Sequence, residues 1–140
     1  MEKVVLDTDI LSDIGKGLSE IVSARASTYL DEHGLLTFTS ISVYEVLYGL
    51  RAKRASQQAN RFLTLIGDHE EIVPQAADYR LAAEMRAAMH IAGTEIGKAD
   101  PVIAACASRR GLVLATANTK HYRYIANAGF SLAIENWRDA

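Results

Sequence analysis

The sequence predicts an α/β fold with a mainly parallel central sheet flanked by helices, and three observations carry that prediction. Short runs such as Val4-Val5-Leu6 and Leu112-Val113-Leu114 are apolar at every position, as strands covered on both faces are. Between such runs lie longer stretches whose apolar residues recur at helical spacing. The two kinds of segment alternate along the chain, which is the signature of parallel strands joined by helical crossovers.

Taken in order, Val4-Val5-Leu6 reads as a buried strand ending at Asp7, with a short helix from Ile10 to Ile14 closed by Gly15 and Gly17. Ser19-Glu20 opens a second helix carrying Ile21, Val22, Ala26, Tyr29 and Leu30, and His33-Gly34 stops it. Leu35-Leu36-Thr37-Phe38-Thr39-Ser40 is short and rich in strand formers, so it reads as the second strand. A third helix is expected from Ile41 to Arg54, with Ser42 as its N-cap and Val43, Val46, Leu47 and Leu50 as its apolar stripe. Ser56 begins another, through Phe62, Leu63, Leu65 and Ile66 to Gly67. Ile72-Val73 before Pro74 is a minimal strand, and Gln75 to Ala92 a long helix ended by Gly93. Asp100-Pro101 is a favoured opening for a helix, expected over Pro101 to Arg110 and ended by Gly111. Leu112 to Thr116 follows as a strand, Lys120 to Ala128 as a helix, Phe130 to Ile134 as a last strand, and Glu135-Asn136-Trp137 as a short tail.

The bulk properties narrow the class. With 140 residues and no repeat, linker or low-complexity stretch, residues 1–140 are expected to form a single domain. Apolar residues make up 49% of the chain, yet no uninterrupted run is long enough to span a membrane. No apolar run of signal-peptide length precedes the first strand, and the single cysteine, Cys106, cannot form an internal disulfide, so a reducing cytoplasm is expected. A net charge of −2 excludes a bulk polyanion binder, so contact with nucleic acid would use a local patch.

The chemistry is expected where acids stand at equivalent places in separate elements. Asp7 ends the first strand, Glu45 lies early in the helix after the second, and Asp100 opens the helix before the strand at Leu112. In a parallel sheet all three fall at the carboxyl edge, where ligands of open α/β sheets bind. Converging carboxylates repel one another unless a proton or a cation intervenes, and an oxygen-only donor set suits Mg²⁺ or Mn²⁺. Each acid also has a purely structural reading. Ser42 to Glu45 has the spacing of a capping box, Asp100 before Pro101 that of an N-cap, and Asp7-Thr8-Asp9 could cap the first helix, each for about 1 kcal/mol.

Four segments then carry a resemblance. Val4-Val5-Leu6-Asp7-Thr8-Asp9-Ile10-Leu11-Ser12 resembles the opening of PIN-domain ribonucleases of the VapC toxin type. Ser40 to Leu50 resembles that family's second motif, Ile96 to Ala105 the third, Leu112 to Tyr122 the fourth, and Ile134-Glu135-Asn136-Trp137 the usual ending. The resemblance spans nearly the whole chain in order. It implies a PIN-like fold and a Mg²⁺-dependent endoribonuclease, with Mn²⁺ as substitute, that is the toxin of a toxin–antitoxin pair. It further implies a homodimer blocked by a cognate antitoxin, with Asp7, Glu45 and Asp100 as metal ligands. Where the fourth motif often carries an acid, this chain has Asn118 and His121. Asn118 is therefore expected to hold a water or orient Asp7 without adding charge, and Asp9, where relatives often have asparagine, either to make up part of that charge or to act as a cap behind the ligands.

Phosphate contacts are open to Arg51, Lys53, Arg54 and Arg61, and to Lys98, Lys120 and Arg123, each of which is equally a solvated surface charge. Arg109-Arg110 most simply complements a helix dipole. Tyr44, Tyr48, Tyr122 and Tyr124 could stack bases or pack. Leu47, Leu50, Phe62 and Leu63 are candidates for an antitoxin groove, against core packing. Two other functions stay open: a non-catalytic PIN-like module that binds RNA or a partner, and a haloacid-dehalogenase-like phosphatase with Asp7 as nucleophile.

Overall fold

The computed structural model describes residues 1–139. Five strands, β1 (Val4–Leu6), β2 (Thr37–Thr39), β3 (Glu70–Ile72), β4 (Val113–Thr116) and β5 (Ile134–Asn136), form one sheet in the order β3-β2-β1-β4-β5. Every adjacent pair is parallel. Seven helices connect them: α1 (Thr8–Lys16), α2 (Glu20–His33), α3 (Ser40–Ala52), α4 (Ser56–Gly67), α5 (Ala76–Ile91), α6 (Ala99–Arg110) and α7 (Thr119–Asn127). No helix among the described residues is long and apolar enough to cross a membrane.

β1 is central because Val4, Val5 and Leu6 are apolar on both faces and wholly buried. Side chains of successive strand residues point to opposite sides, and two core layers result. Val4 and Leu6 join Phe38, Val113 and Ala115 in a layer with α1 to α4, including Ile10, Leu11, Tyr29 and Phe62. Val5 and Leu114 join a layer with α5 to α7, where Met85, Met89, Ile103, Tyr122 and Ile125 pack. Residues Pro101 to Ala107 of α6 are buried without a break. Small side chains at Ala104, Ala105 and Ala107 let this helix fit between the sheet and α5, at about 25 cal/mol for each Å² of apolar surface removed from water. Cys106 lies in that run, where burial pushes its thiol up to about 11, so it is an inert core residue.

The strand order explains where a site arises. The chain leaves β1 toward β2 and β3, then returns to the other side of β1 to lay down β4 and β5. The carboxyl ends of β1 and β4 therefore flank a point where the connections diverge, leaving a crevice. Leu6 is in register with Ala115, so Asp7 emerges beside Thr116.

Several local expectations are corrected. α1 continues through Gly15 to Lys16 and ends only where Gly17 adopts φ 65°, a left-handed cap that costs glycine nothing. Gly15 stays helical because its bare Cα faces Phe62, whose ring a Cβ there would meet at 3.3 Å. The N-cap of α3 is Thr39, whose hydroxyl accepts from the Ser42 N–H at 3.2 Å; Ser42 is not the cap, and no Ser42–Glu45 capping box forms. Lys98 occupies the cap position of α6, which leaves Asp100 in the first turn. The last strand is Ile134–Asn136, because β4 pairs Leu114 with Ile134 and Thr116 with Asn136; Phe130 and Leu132 instead pack on the helical layer. Arg109 and Arg110 do more than face a dipole. Both grip the wholly buried Asp78, at 2.8 and 2.9 Å, whose other oxygen accepts from the Gln75 N–H at 2.7 Å. Burial alone would lift the Asp78 carboxyl, but the two guanidiniums and that N–H hold it well below the usual range.

Candidate active site

At the carboxyl edge of β1 and β4 lies a cavity of about 380 Å³ whose lining includes Asp7, Thr8, Asp9, Glu45, Asp100 and Asn118. The four residues singled out from sequence, Asp7, Glu45, Asp100 and Asn118, thus share one pocket, each delivered by a different element.

Asp7 is 5% exposed and is held from three directions. The Thr8 N–H donates to its Oδ1 at 2.8 Å, the Tyr122 hydroxyl to the same oxygen at 2.9 Å, and the Thr116 hydroxyl to Oδ2 at 2.8 Å. Its capping role and its place in the cavity are therefore compatible: it is the N-cap of α1 and still faces the pocket. Burial pushes the Asp7 carboxyl above its ordinary range, the charge of Asp100 adds to the shift, and the three donors oppose it. Tyr122, expected as a base-stacking candidate or core residue, is buried beneath the acids. Burial and the negative charges of Asp7 and Asp100 hold its proton far above the usual phenol range, so it remains a donor.

Asp9 is pushed up to about 6, first by burial and then by the charge of Asp7. It accepts from the N–H of Ile10 at 2.7 Å and of Ala117 at 3.0 Å, tying α1 to the loop after β4. Asp100 is also raised, by burial and by the charge of Glu45, while His121 pulls the other way. The His121 Nε2 lies 2.9 Å from Asp100 Oδ2 and 3.3 Å from the carbonyl of Ile96. A carbonyl can only accept, so Nε2 carries the proton and donates to both. His121 therefore orients Asp100, a role the sequence left open. Glu45 receives a 2.6 Å bond from the Thr8 hydroxyl. Because Thr8 spends its one proton there, Ser42 at 2.9 Å must donate to Thr8. This hydroxyl chain draws Glu45 toward β1 instead of back onto its own helix, and sequence spacing alone had no means of revealing it.

The basic candidates separate. Lys53 lines the cavity, joined by Lys16, which sequence reasoning passed over, whereas Arg54 and Arg61 line a different hollow. Tyr44 and Tyr48 are exposed on α3, 70% and 69%, and Leu50 and Phe62 are core residues, which leaves Leu63 as the exposed member of the candidate groove.

The pattern of acids also bears on a metal. Among the described residues no three His, Cys, Asp or Glu side chains already form a tight metal cluster. The donor chemistry nevertheless fits a hard divalent cation: the candidate ligands are carboxylates, two of them with their ionised forms disfavoured by burial and by each other.

Comparison with known proteins decides the family. Residues 4–127 match the PIN domain. The chain belongs to the PIN-domain family. A curated PIN-type relative, the tRNA(fMet)-specific endonuclease VapC of Shigella flexneri, is 28% identical over 98% of this chain and 99% of its own. Among solved structures, VapBC2 of Rickettsia felis bound to a DNA fragment from its promoter superposes with a TM-score of 0.81 at 24% identity, over 96% of this chain and 98% of that one. DNA-bound VapBC of Salmonella typhimurium gives 0.76 at 26% identity, over 98% and 99%. The resemblance to VapC-type PIN ribonucleases read from the four motifs is borne out, as is the α/β fold with a parallel sheet. At the fourth motif, His121 acts through Asp100, to which its Nε2 donates.

Proposed function

We propose that this PIN domain is a Mg²⁺-dependent endoribonuclease of the VapC type, a cytoplasmic toxin that works as a homodimer and is neutralised by a cognate antitoxin. The observation that carries the reading is the convergence of Asp7, Asp9, Glu45 and Asp100 on one cavity at the carboxyl edge of the sheet. The VapBC assemblies among the similar structures support the antitoxin, and the Shigella flexneri relative supports RNA as substrate.

In this reading Asp7, Glu45 and Asp100 hold Mg²⁺, with Mn²⁺ as substitute. The bound ion supplies Lewis acidity, offsetting negative charge on the phosphodiester and lowering the pKa of an attacking water. The rest is done by the chain. Tyr122 and Thr116 fix both oxygens of Asp7, His121 fixes Asp100, and the Thr8 hydroxyl fixes Glu45, so the carboxylates meet the substrate with little left to reorganise. Asp9, behind them, accepts from the N–H groups of Ile10 and Ala117 and so holds α1 against the loop after β4. Asn118 offers an uncharged amide at the rim.

Incubation with total RNA and Mg²⁺, followed by mapping of new 5′ ends, tests the reading. Discrete cuts that disappear with EDTA, and with Asp7→Asn or Asp100→Asn in a folded protein, are the expected result; cleavage that survives EDTA would refute it. The neutral fourth motif favours one second reading, an RNA-binding module without catalysis. Calorimetric titration separates the two: a nuclease binds Mn²⁺ and loses it on Glu45→Gln.

A further inference from the structure

The cavity holds two cations as well as four acids, and their placement repeats. On α1, Asp9, Ser12 and Lys16 follow one another at helical spacing on a single face, and all line the cavity. On the facing helix α3, Glu45, Gly49 and Lys53 do the same. Each wall therefore presents an acid, then a small residue, then a lysine. Both helices start at the carboxyl edge of the sheet, so the acids cluster at one end of a groove and the lysines at the other. Lys16 lies about 10 Å further along α1 than Asp9, at 1.5 Å per residue, and Lys53 about 12 Å beyond Glu45. Ser12 and Gly49 keep the middle open, and a Cβ at Gly49 would meet nothing within 4 Å. Among the described residues neither lysine takes part in an ion pair, although four carboxylates line the same cavity. Both also sit at helix C-termini, where they complement the dipole, but that role requires neither to face the acids.

We propose that Lys16 and Lys53 form a two-sided clamp for the backbone phosphates of single-stranded RNA next to the scissile bond. The proposal rests on the ribonuclease reading and names the part of the substrate that the groove holds. The reacting phosphate lies among the acids, while the neighbouring stretch of the strand runs down the groove and places a phosphate between the two ammonium groups. Because the lysines are anchored about two turns further along α1 and α3 than the acids, they hold the strand and leave the chemical step alone.

The test uses the full chain, Mg²⁺ and a short fluorescent single-stranded oligoribonucleotide containing a mapped cut site, with Lys16→Ala, Lys53→Ala, the double variant and the double Lys→Arg variant. The double alanine variant is expected to raise KM about tenfold with kcat within twofold, and to flatten the slope of log affinity against log salt by about 1.4, from two phosphate contacts at about 0.7 each. The double arginine variant should restore both with its melting temperature as in the wild type, and every variant should stay folded and still bind Mn²⁺. An unchanged salt slope with cleavage intact, or a fall in kcat at constant KM, would overturn the clamp alone. A wild-type protein that neither binds nor cuts RNA would overturn the ribonuclease reading and the clamp with it.

Discussion

Replacing Asp9 by asparagine isolates the electrostatic cost that the acid cluster imposes on the fold. A carboxyl pushed from 3.8 up to about 6 is disfavoured as an anion by about 3 kcal/mol, at 1.36 kcal/mol per pH unit. Asp9 is partly open to solvent at the cavity, and screening there reduces the figure to about 1.5 kcal/mol. The sign follows from linkage. Between pH 6 and 3.8 the folded protein holds this proton while the unfolded chain has released it, so acidification through that window stabilises the native state. Asparagine lacks the titration. It also turns an N–H toward the N–H of Ile10 or of Ala117, a loss of about 1 to 3 kcal/mol, but that penalty does not vary with pH and drops out of the comparison. Urea denaturation in EDTA should therefore show wild type gaining about 1.5 kcal/mol relative to Asp9→Asn between pH 7.5 and 3. In a thermal melt the same change is about 5 °C, using about 2.1 cal/mol/K of unfolding entropy per residue. A gap between the two proteins that stays constant over this range would refute the claim that buried mutual repulsion is stored at Asp9.

The second core layer gives a prediction of opposite sign. Asp78→Asn should cost about 2 kcal/mol at pH 7, since Arg109 and Arg110 lose their buried counter-charge but keep partial access to water. Because the folded-state carboxyl is held low, that contribution is complete above the ordinary value of 3.8 and is lost as the pH falls below it, so chemical denaturation should find the mutant's deficit shrinking at pH 3. Gly49→Ala should raise stability by about 0.5 to 1 kcal/mol, the usual gain for alanine over glycine inside a helix, while the added methyl narrows the groove and raises KM for RNA. A melt paired with steady-state cleavage reads both effects, and an unchanged KM would show that the strand does not pass Gly49.

Much of this was legible in the residues. Val4-Val5-Leu6-Asp7 announces a buried strand running into an acid, Ser19 caps α2 as its position suggests, and Gly34 and Gly111 end helices where expected. The errors share a cause: local signals were equivalent and distant contacts chose between them. Thr39 and Ser42 are both good caps, and the choice fell to Thr39 because Ser42 is bound to Thr8 on another element. Phe130 to Ile134 alternates like a strand, yet pairing with β4 sets the ladder further along the chain. Asp78 carries no local signal of its role, because the arginines that grip it lie 31 and 32 residues away. At the site, the residue types were visible but the bonds that aim them were not. Nothing near His121 in sequence indicates that its ring reaches Asp100 and the Ile96 carbonyl.

The position of β1 in the middle of the sheet also governs when its terminal carboxylate can be held in place. The two hydroxyls that hold Asp7, from Thr116 and Tyr122, lie 109 and 115 residues further along the chain, on and beyond the strand that pairs beside it. A chain cut before residue 112 would leave β1 without its β4 neighbour and Asp7 with only the Thr8 N–H of its three donors. Asp7 is therefore fixed only once β4 and α7 have docked onto β1, so the site forms together with the whole sheet and not ahead of it.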